Sequence, residues 1–158
     1  MDQVLYRLLT AGDEALVARM VVQTFLQCVA PGYSLAGIQE FMAFIAPGEL
    51  RQRRVEGNRQ WVALYQGIPV GFAEAREARH LALLFVALGW QGRGIGTALL
   101  ERVRQYCREA EPPREILTVN SSPYAVLFYR KNGFTPFVEE QERNGVRYLP
   151  MAAPLTAL

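Results

Sequence analysis

The chain has 158 residues, of which 51% are hydrophobic and 20% charged, with a formal net charge of +2. One globular domain spanning residues 1–158 accommodates that length, and the composition excludes disordered and fibrous classes. The small net charge provides no electrostatic footprint for nucleic acid, although sixteen of the seventeen basic residues are Arg and only Lys131 is Lys. The Arg are scattered, which fits a compositional bias as well as it fits phosphate recognition. Cys28 and Cys107 are the only cysteines and do not form a disulfide framework, so two reduced thiols and a cytoplasmic location are expected. The two Cys and the single His lie too far apart in sequence to suggest a metal site. No segment approaches the roughly 18 apolar residues of a membrane span, and Met1–Leu9 does not read as a signal peptide.

In chain order, Val4 to Leu8 reads as a strand. An acidic helix start at Asp13-Glu14 precedes Leu16, Val17, Met20, Val21, Thr24 and Phe25 at helical spacing. Pro31-Gly32 breaks that helix. Ser34 is a natural N-cap for a second one, with Leu35, Ile38, Phe41, Met42 and Ile45 on one face and Pro47-Gly48 as its stop. Arg51 to Arg59 reads as a polar surface helix turn or loop. Trp61 to Tyr65 and Pro69 to Ala75 flank Gln66-Gly67 as a hairpin. Leu81 to Val86 is apolar without alternation, the pattern of a strand covered on both faces at the centre of a sheet. Ile95, Leu99, Val103 and Tyr106 mark the next helix, which ends before Pro112-Pro113. Ile116 to Val119 is a strand and Pro123 to Lys131 a short helix stopped by Asn132-Gly133. Phe134 to Val138 and Val146 to Met151 read as a closing pair around Asn144-Gly145. The sum is a mixed α/β sheet, mostly antiparallel, with helices on both faces.

The stretch with the most chemical content runs from the central strand through Gln91-Gly92-Arg93-Gly94-Ile95-Gly96-Thr97 into an amphipathic helix. Strand, glycine turn and helix N-terminus make an anion site built of backbone N–H groups. A P-loop is excluded because no Lys follows the glycines. The dinucleotide pattern G-x-G-x-x-G/A fails as well, because Thr97 and Leu99 stand at its third position. What remains is Q/R-x-x-G-x-G/A after an apolar strand.

With that motif, Asn120-Ser121-Ser122-Pro123-Tyr124-Ala125, Phe128-Tyr129 and Gly133-Phe134, the chain from about Gln60 to Leu155 resembles the GNAT superfamily of acyl-CoA N-acyltransferases. The resemblance implies a GNAT-like fold and acetyl-CoA as acyl donor. It further implies that backbone groups of Leu84, Phe85 and Val86 pair with the pantetheine arm, that those of Gln91, Gly92, Arg93, Gly94, Ile95, Gly96 and Thr97 hold the pyrophosphate, and that the sheet splays after the central strand. Tyr129 stands where the family commonly places the acid that protonates the departing thiolate. Asn120 and Ser122 suit polar contacts with the cofactor, and Ser122 before Pro123 equally suits a helix N-cap.

The base is less determined. The central strand carries no acid, which leaves Glu74 on the neighbouring strand as first choice, with His80, Glu139 and Glu140 as further titratable groups. The activity implied is acetyl transfer to a primary amine, on a small molecule or a peptide, by direct attack in a ternary complex. An acyl-CoA-binding module without chemistry is the alternative. Tyr33, Phe41 and Phe44 hint at an apolar or aromatic acceptor, though they would equally fill a core. Strand edges at the C-terminal hairpin make a homodimer plausible.

Overall fold

The structure is a computed structural model and describes residues 3–155. Met1, Asp2 and the last three residues of the expected domain lie outside that range. Its elements in chain order are β1 (Leu5–Leu8), α1 (Glu14–Cys28), α2 (Leu35–Phe44), α3 (Pro47–Val55), β2 (Arg59–Tyr65), β3 (Ile68–Arg76), β4 (His80–Val86), α4 (Ile95–Arg108), β5 (Ile116–Ser121), α5 (Val126–Lys131), β6 (Thr135–Pro136), β7 (Gln141–Arg143) and β8 (Val146–Pro154). Three 3-10 turns intervene at Ala30–Gly32, Leu88–Trp90 and Pro123–Ala125. The sheet order is β1-β2-β3-β4-β5-β8-β6, with β7 paired to β8. Every pairing is antiparallel except β4 with β5.

Strand alternation divides the core into two clusters on opposite faces of the sheet. Trp61, Ala63, Ala73, Ala75 and Leu81 pack with Leu99, Leu100 and Val103 of α4 and with Tyr129 and Phe134. Val62, Phe72 and Leu83 face the other way, against Val17, Met20 and Val21 of α1 and Leu50 of α3. At Gly71 a methyl group would stand 2.9 Å from Ile95 Cγ2 and 3.0 Å from Leu99 Cδ1, so α4 lies directly on the strand backbone there.

Three expectations need correction. Pro47 does not stop α2. That helix ends at Phe44, and Pro47 opens α3 at its first position, where a missing N–H costs nothing. The polar stretch from Arg51 thus belongs largely to a helix. The closing strands are also redistributed. Only Thr135–Pro136 pairs with the distal part of β8, while the hairpin turn at Asn144-Gly145 joins β8 to β7. Finally, Ser122 sits at the start of the Pro123–Ala125 turn without making a side-chain cap, and its carbonyl accepts from Ala125 N and Ser121 Oγ instead.

Asp13 likewise does not cap α1 with its side chain. It accepts two bonds from Arg7 at 2.7 and 3.1 Å, which holds β1 to the helix start and lowers its carboxyl to about 2. At the C-terminal edge, β6 and β7 are two and three residues long and so present few ladder groups to a second copy.

His80 sits where β4 meets β5, with Nδ1 2.8 Å from Thr118 Oγ1. Burial, aided by the Arg76 charge, lowers its pKa from 6.5 to about 4. The unfolded chain therefore binds the extra proton first, and folding stability falls as pH drops through the window from 6.5 to 4. Urea midpoints recorded across that window should fall less steeply for His80→Asn than for the parent chain; equal slopes would show that His80 carries no proton linkage.

Candidate functional site

β4 and β5 are paired only at His80 with Thr118 and at Leu81 with Val119. Beyond that point β5 continues with β8 through Ser121, β4 continues with β3, and the two strands part. A cleft of about 1020 Å³ opens between them, at the upper end of the range for ligand pockets.

Which backbone groups line it follows from the ladder. Ala87 N donates to Val70 O at 2.9 Å, and the antiparallel pattern repeats every second residue, so Phe85 exchanges its bonds with Phe72. The N–H and C=O groups of Leu84 and Val86 then point away from β3, into the gap. The Val86 carbonyl accepts from Gln91 Nε2 at 3.0 Å, and Gln91 Oε1 accepts from Tyr124 OH at 2.7 Å, so Gln91 reaches across the cleft mouth. Of the three strand residues expected to pair with a pantetheine arm, Phe85 has its backbone committed to the sheet and instead sends its ring to the α1 face.

The glycine turn forms the adjoining wall. Gly92 and Gly94 take φ of 77° and 83°, and the first hydrogen bond inside α4 runs from Ala98 N to Gly94 O. The N–H groups ahead of Ala98 therefore lack helical partners at the positive end of the helix. Gln91, Gly92, Gly94, Ile95, Gly96 and Thr97 all line the cleft. Gly96 has a packing role as well, since a methyl group there would stand 3.1 Å from the Phe128 ring and 3.6 Å from Val86. The Arg93 side chain is not part of this wall; its guanidinium lies over the Trp90 ring at 4.7 Å.

Tyr129, Asn120 and Ser122 line the same cleft. Tyr129 is 4% exposed and packs edge-on against Phe128 and Phe134, each with centroids 5.3 Å away. Phe134 gets there because Gly133, at φ 90°, turns the chain back under α5, and Phe134 N then bonds Tyr129 O at 3.0 Å. Burial pushes the phenol pKa well above its usual 10, so it remains protonated through the physiological range.

Glu74 lies elsewhere. Its side chain is fully buried on the α1 face and its carboxylate receives Arg53 Nε at 2.7 Å, Arg53 Nη2 at 3.3 Å, Asn58 Nδ2 at 2.8 Å and Gln60 Nε2 at 3.0 Å. Those donors occupy both oxygens, and Glu74 is not among the cleft residues. Four donated hydrogen bonds and a place outside the cleft give Glu74 a structural role, in conflict with the expectation of a general base. His80 faces Thr118, while Glu139 and Glu140 are exposed, the latter paired with Arg147 at 3.0 Å.

Several cleft residues have no counterpart in the sequence-based set. Among the described lining residues Glu40 is the one carboxylate and Arg143 the one guanidinium. Thr24, Cys28, Tyr124 and Tyr148 add polar atoms. Tyr124 belongs to the Asn120–Ala125 motif and could have been singled out; Cys28 and Glu40 carry no local signal. The segment from Phe25 to Phe44 and the last hairpin meet at the far end of the cleft.

Residues 29–155 match the family model of the acetyltransferase (GNAT) domain. Over 85 residues the chain is 32% identical to the peptidyl-lysine N-acetyltransferase YiaC of Escherichia coli (strain K12), a stretch covering 54% of this chain and 56% of that protein. The chain thus spans about half the length of this curated relative. Among solved structures, a GCN5-related N-acetyltransferase from Rhodopseudomonas palustris superposes with a TM-score of 0.82 at 26% identity, covering 98% of this chain and 97% of that one. The PaiA N-acetyltransferase of Thermoplasma acidophilum, solved in complex with coenzyme A, gives a TM-score of 0.78 at 17% identity over 96% and 99% of the two chains. With the family model extending over most of its length, on a sheet that parts where a donor arm would enter, the chain belongs to the GNAT acetyltransferase family.

Proposed function

We propose that the protein transfers an acetyl group from acetyl-CoA to a primary amine by direct attack in a ternary complex. The observation that carries this reading is the shared cleft. It joins an open backbone edge at Leu84 and Val86, an N–H cradle at Gln91–Thr97 and the buried Tyr129 phenol. Acetyl-CoA supplies the activated carbonyl and a thiol leaving group.

The remaining chemistry belongs to the chain. Leu84 and Val86 offer their N–H and C=O groups as a strand edge for the amides of the pantetheine arm. The turn amides meet the pyrophosphate charge, helped by the helix dipole. Asn120 and Ser122, on the opposite lip, suit polar contacts with the same arm. Tyr129 holds its proton at the closed part of the cleft, where a departing thiolate would be poorly solvated and correspondingly basic. An aromatic surround lowers the dielectric there and keeps competing water out.

Among the described residues no carboxylate of β4 or β3 faces the gap. Glu40, the one carboxylate of the lining, is held by Asn144 Nδ2 at the far end, so the acceptor amine loses its proton to water. Cys28 and Cys107 are both free thiols, and burial raises Cys107 to about 11, which leaves it inert and in keeping with a reducing cytoplasm. No helix among the described residues is long and apolar enough to cross a membrane.

Tyr129→Phe should lower kcat by about a hundredfold, the scale of a positioned general acid, with the acetyl-CoA Kd nearly unchanged. An undiminished kcat would remove Tyr129 from the proton path. With the parent chain, kcat/KM should climb with pH until the acceptor amine is deprotonated and then stay level to about pH 10, because burial raises rather than lowers the phenol pKa. A decline setting in near pH 8 would contradict that assignment. Glu74→Gln should cost about 3 kcal/mol of unfolding free energy by leaving the Arg53 charge without its partner. Its pH–rate profile should keep the parent shape; loss of an ionisation from that profile would restore Glu74 as base.

A further inference from the structure

The acceptor end of the cleft is closed by a joint between two elements distant in sequence. Ser34 N donates to Gly145 O at 3.3 Å, and Asn144 Nδ2 donates to Glu40 Oε1 at 3.3 Å. The contact requires glycine on both sides: a methyl group at Gly37 would stand 2.5 Å from Gly145 O, and one at Gly145 would collide with Ser34 Oγ. Helix α2 and the β7–β8 turn therefore meet backbone to backbone, with Glu40 at the joint and Arg143 next to it in sequence.

Inward from the joint the walls are rings. Phe25 stacks on Phe41 at 4.0 Å and meets Tyr33 edge-on at 5.4 Å, and Phe41 reaches Phe85 of β4 at 5.6 Å. Phe41 and Tyr33 are half-buried and line the cleft, so a continuous aromatic surface runs from the joint to the strand that carries the open backbone edge.

Charge and apolarity together select among amines. A polyamine or another polycation would bring several ammonium groups to one carboxylate, with the Arg143 guanidinium opposing them. An extended peptide would lay its amides against the Phe25, Phe41 and Phe85 rings, which offer them no hydrogen bonds. The Tyr33 hydroxyl is the one polar group among the four rings, so the amides left unpaired carry a desolvation cost. A compact body that is itself apolar displaces water from the same rings and gains from the contact.

We propose that the acceptor is a compact primary monoamine with an aromatic body, which rests on Phe41 and Tyr33 while its amino group reaches the parted strands. This rests on the acetyl transfer proposed above. In the step itself the neutral amine nitrogen bonds to the thioester carbonyl carbon and the carbon–sulfur bond breaks. The nitrogen gives up one proton to water, the sulfur takes one from Tyr129, and the Tyr129 phenolate recovers a proton from solvent, leaving an N-acetyl amine, free coenzyme A and the starting enzyme.

The test measures coenzyme A release from acetyl-CoA with 2-phenylethylamine, spermidine and an N-terminally blocked lysine peptide, alongside acetyl-CoA binding by calorimetry. 2-Phenylethylamine should exceed both others in kcat/KM by about tenfold or more, the equivalent of one well-formed ring contact. Phe41→Ala should raise its KM by a similar factor with the acetyl-CoA Kd unchanged. Because Phe41 stacks on Phe25, Tyr33→Ala, which removes an edge-on rather than a stacked contact with that ring, provides a second reading. Faster turnover of spermidine or the peptide, or an unchanged KM in both variants, overturns the acceptor assignment while leaving acetyl transfer intact. Tight acetyl-CoA binding with no release from any of the three amines overturns both.

Discussion

Beyond Leu81 and Val119 the two central strands stop exchanging hydrogen bonds, and much of this protein follows from that parting. A sheet interior that leaves backbone groups without partners is costly unless something else satisfies them. Here the groups of Leu84 and Val86 face a cleft, and the Val86 carbonyl is met by the Gln91 side chain. The strands can separate because each has a full partner on its other side. β4 lies on β3 over six paired positions, and β5 lies on β8 over another six. Leu84 and Val86 pack toward α4 while Leu83 and Phe85 pack toward α1, so the edge is held from both faces even though its third side is open.

A second constraint holds the wall proposed for the acceptor. Glu74 fixes Arg53, whose Nη1 donates to Phe44 O at 2.8 Å and whose guanidinium lies 3.7 Å from the Phe44 ring. The buried carboxylate thus sets the C-terminal end of α2, and Phe44 with it, without reaching the cleft. Exposed pairs such as Arg147 with Glu140 compete with water on both sides and contribute little by comparison. At the other end of α2, the Ser34 hydroxyl accepts from Gly37 N and the Gly145 turn presses against that same cap. The short helix is pinned at both termini, which suits a wall that must keep its rings in register.

Legibility in the sequence differed by the kind of interaction involved. Elements with a clear period were readable: α1 and α4 fall where their apolar spacing puts them, and Gln66-Gly67 forms the hairpin turn with both residues at positive φ. Helix α3 was readable only as one of two alternatives for its second half, because Leu50 is its one buried residue and Pro47-Gly48 suits a helix start as well as a stop. The C-terminal strands were displaced for a related reason. Phe134 is drawn under Tyr129 into the core, which delays the hairpin to Gln141–Arg143. Glu74 looked like a candidate base because sequence shows an acid on a strand beside the central one. It cannot show that Arg53, Asn58 and Gln60 converge on that acid from a helix, a loop and a neighbouring strand.

The same distinction separates donor from acceptor. The donor side is built from main-chain groups, and main-chain geometry leaves a local signature: glycines at positive φ, a helix beginning at Ile95, and Gly96 stripped of a side chain so that Phe128 can approach. Such a signature survives in seven consecutive residues and can be read without the fold. The proposed acceptor side is built from Tyr33, Glu40 and Phe41 on one segment and Arg143, Val146 and Tyr148 on another, about a hundred residues later, joined through the Ser34–Gly145 and Glu40–Asn144 contacts. No spacing rule links those positions, because what brings them together is the order in which β8 returns beside β5. On that proposal, changing the amine that fits would need substitutions on either segment, and Phe41 meets β4 through the Phe85 ring rather than through the open backbone edge. A fold arranged in this way can hold one acyl donor constant while its acceptor varies.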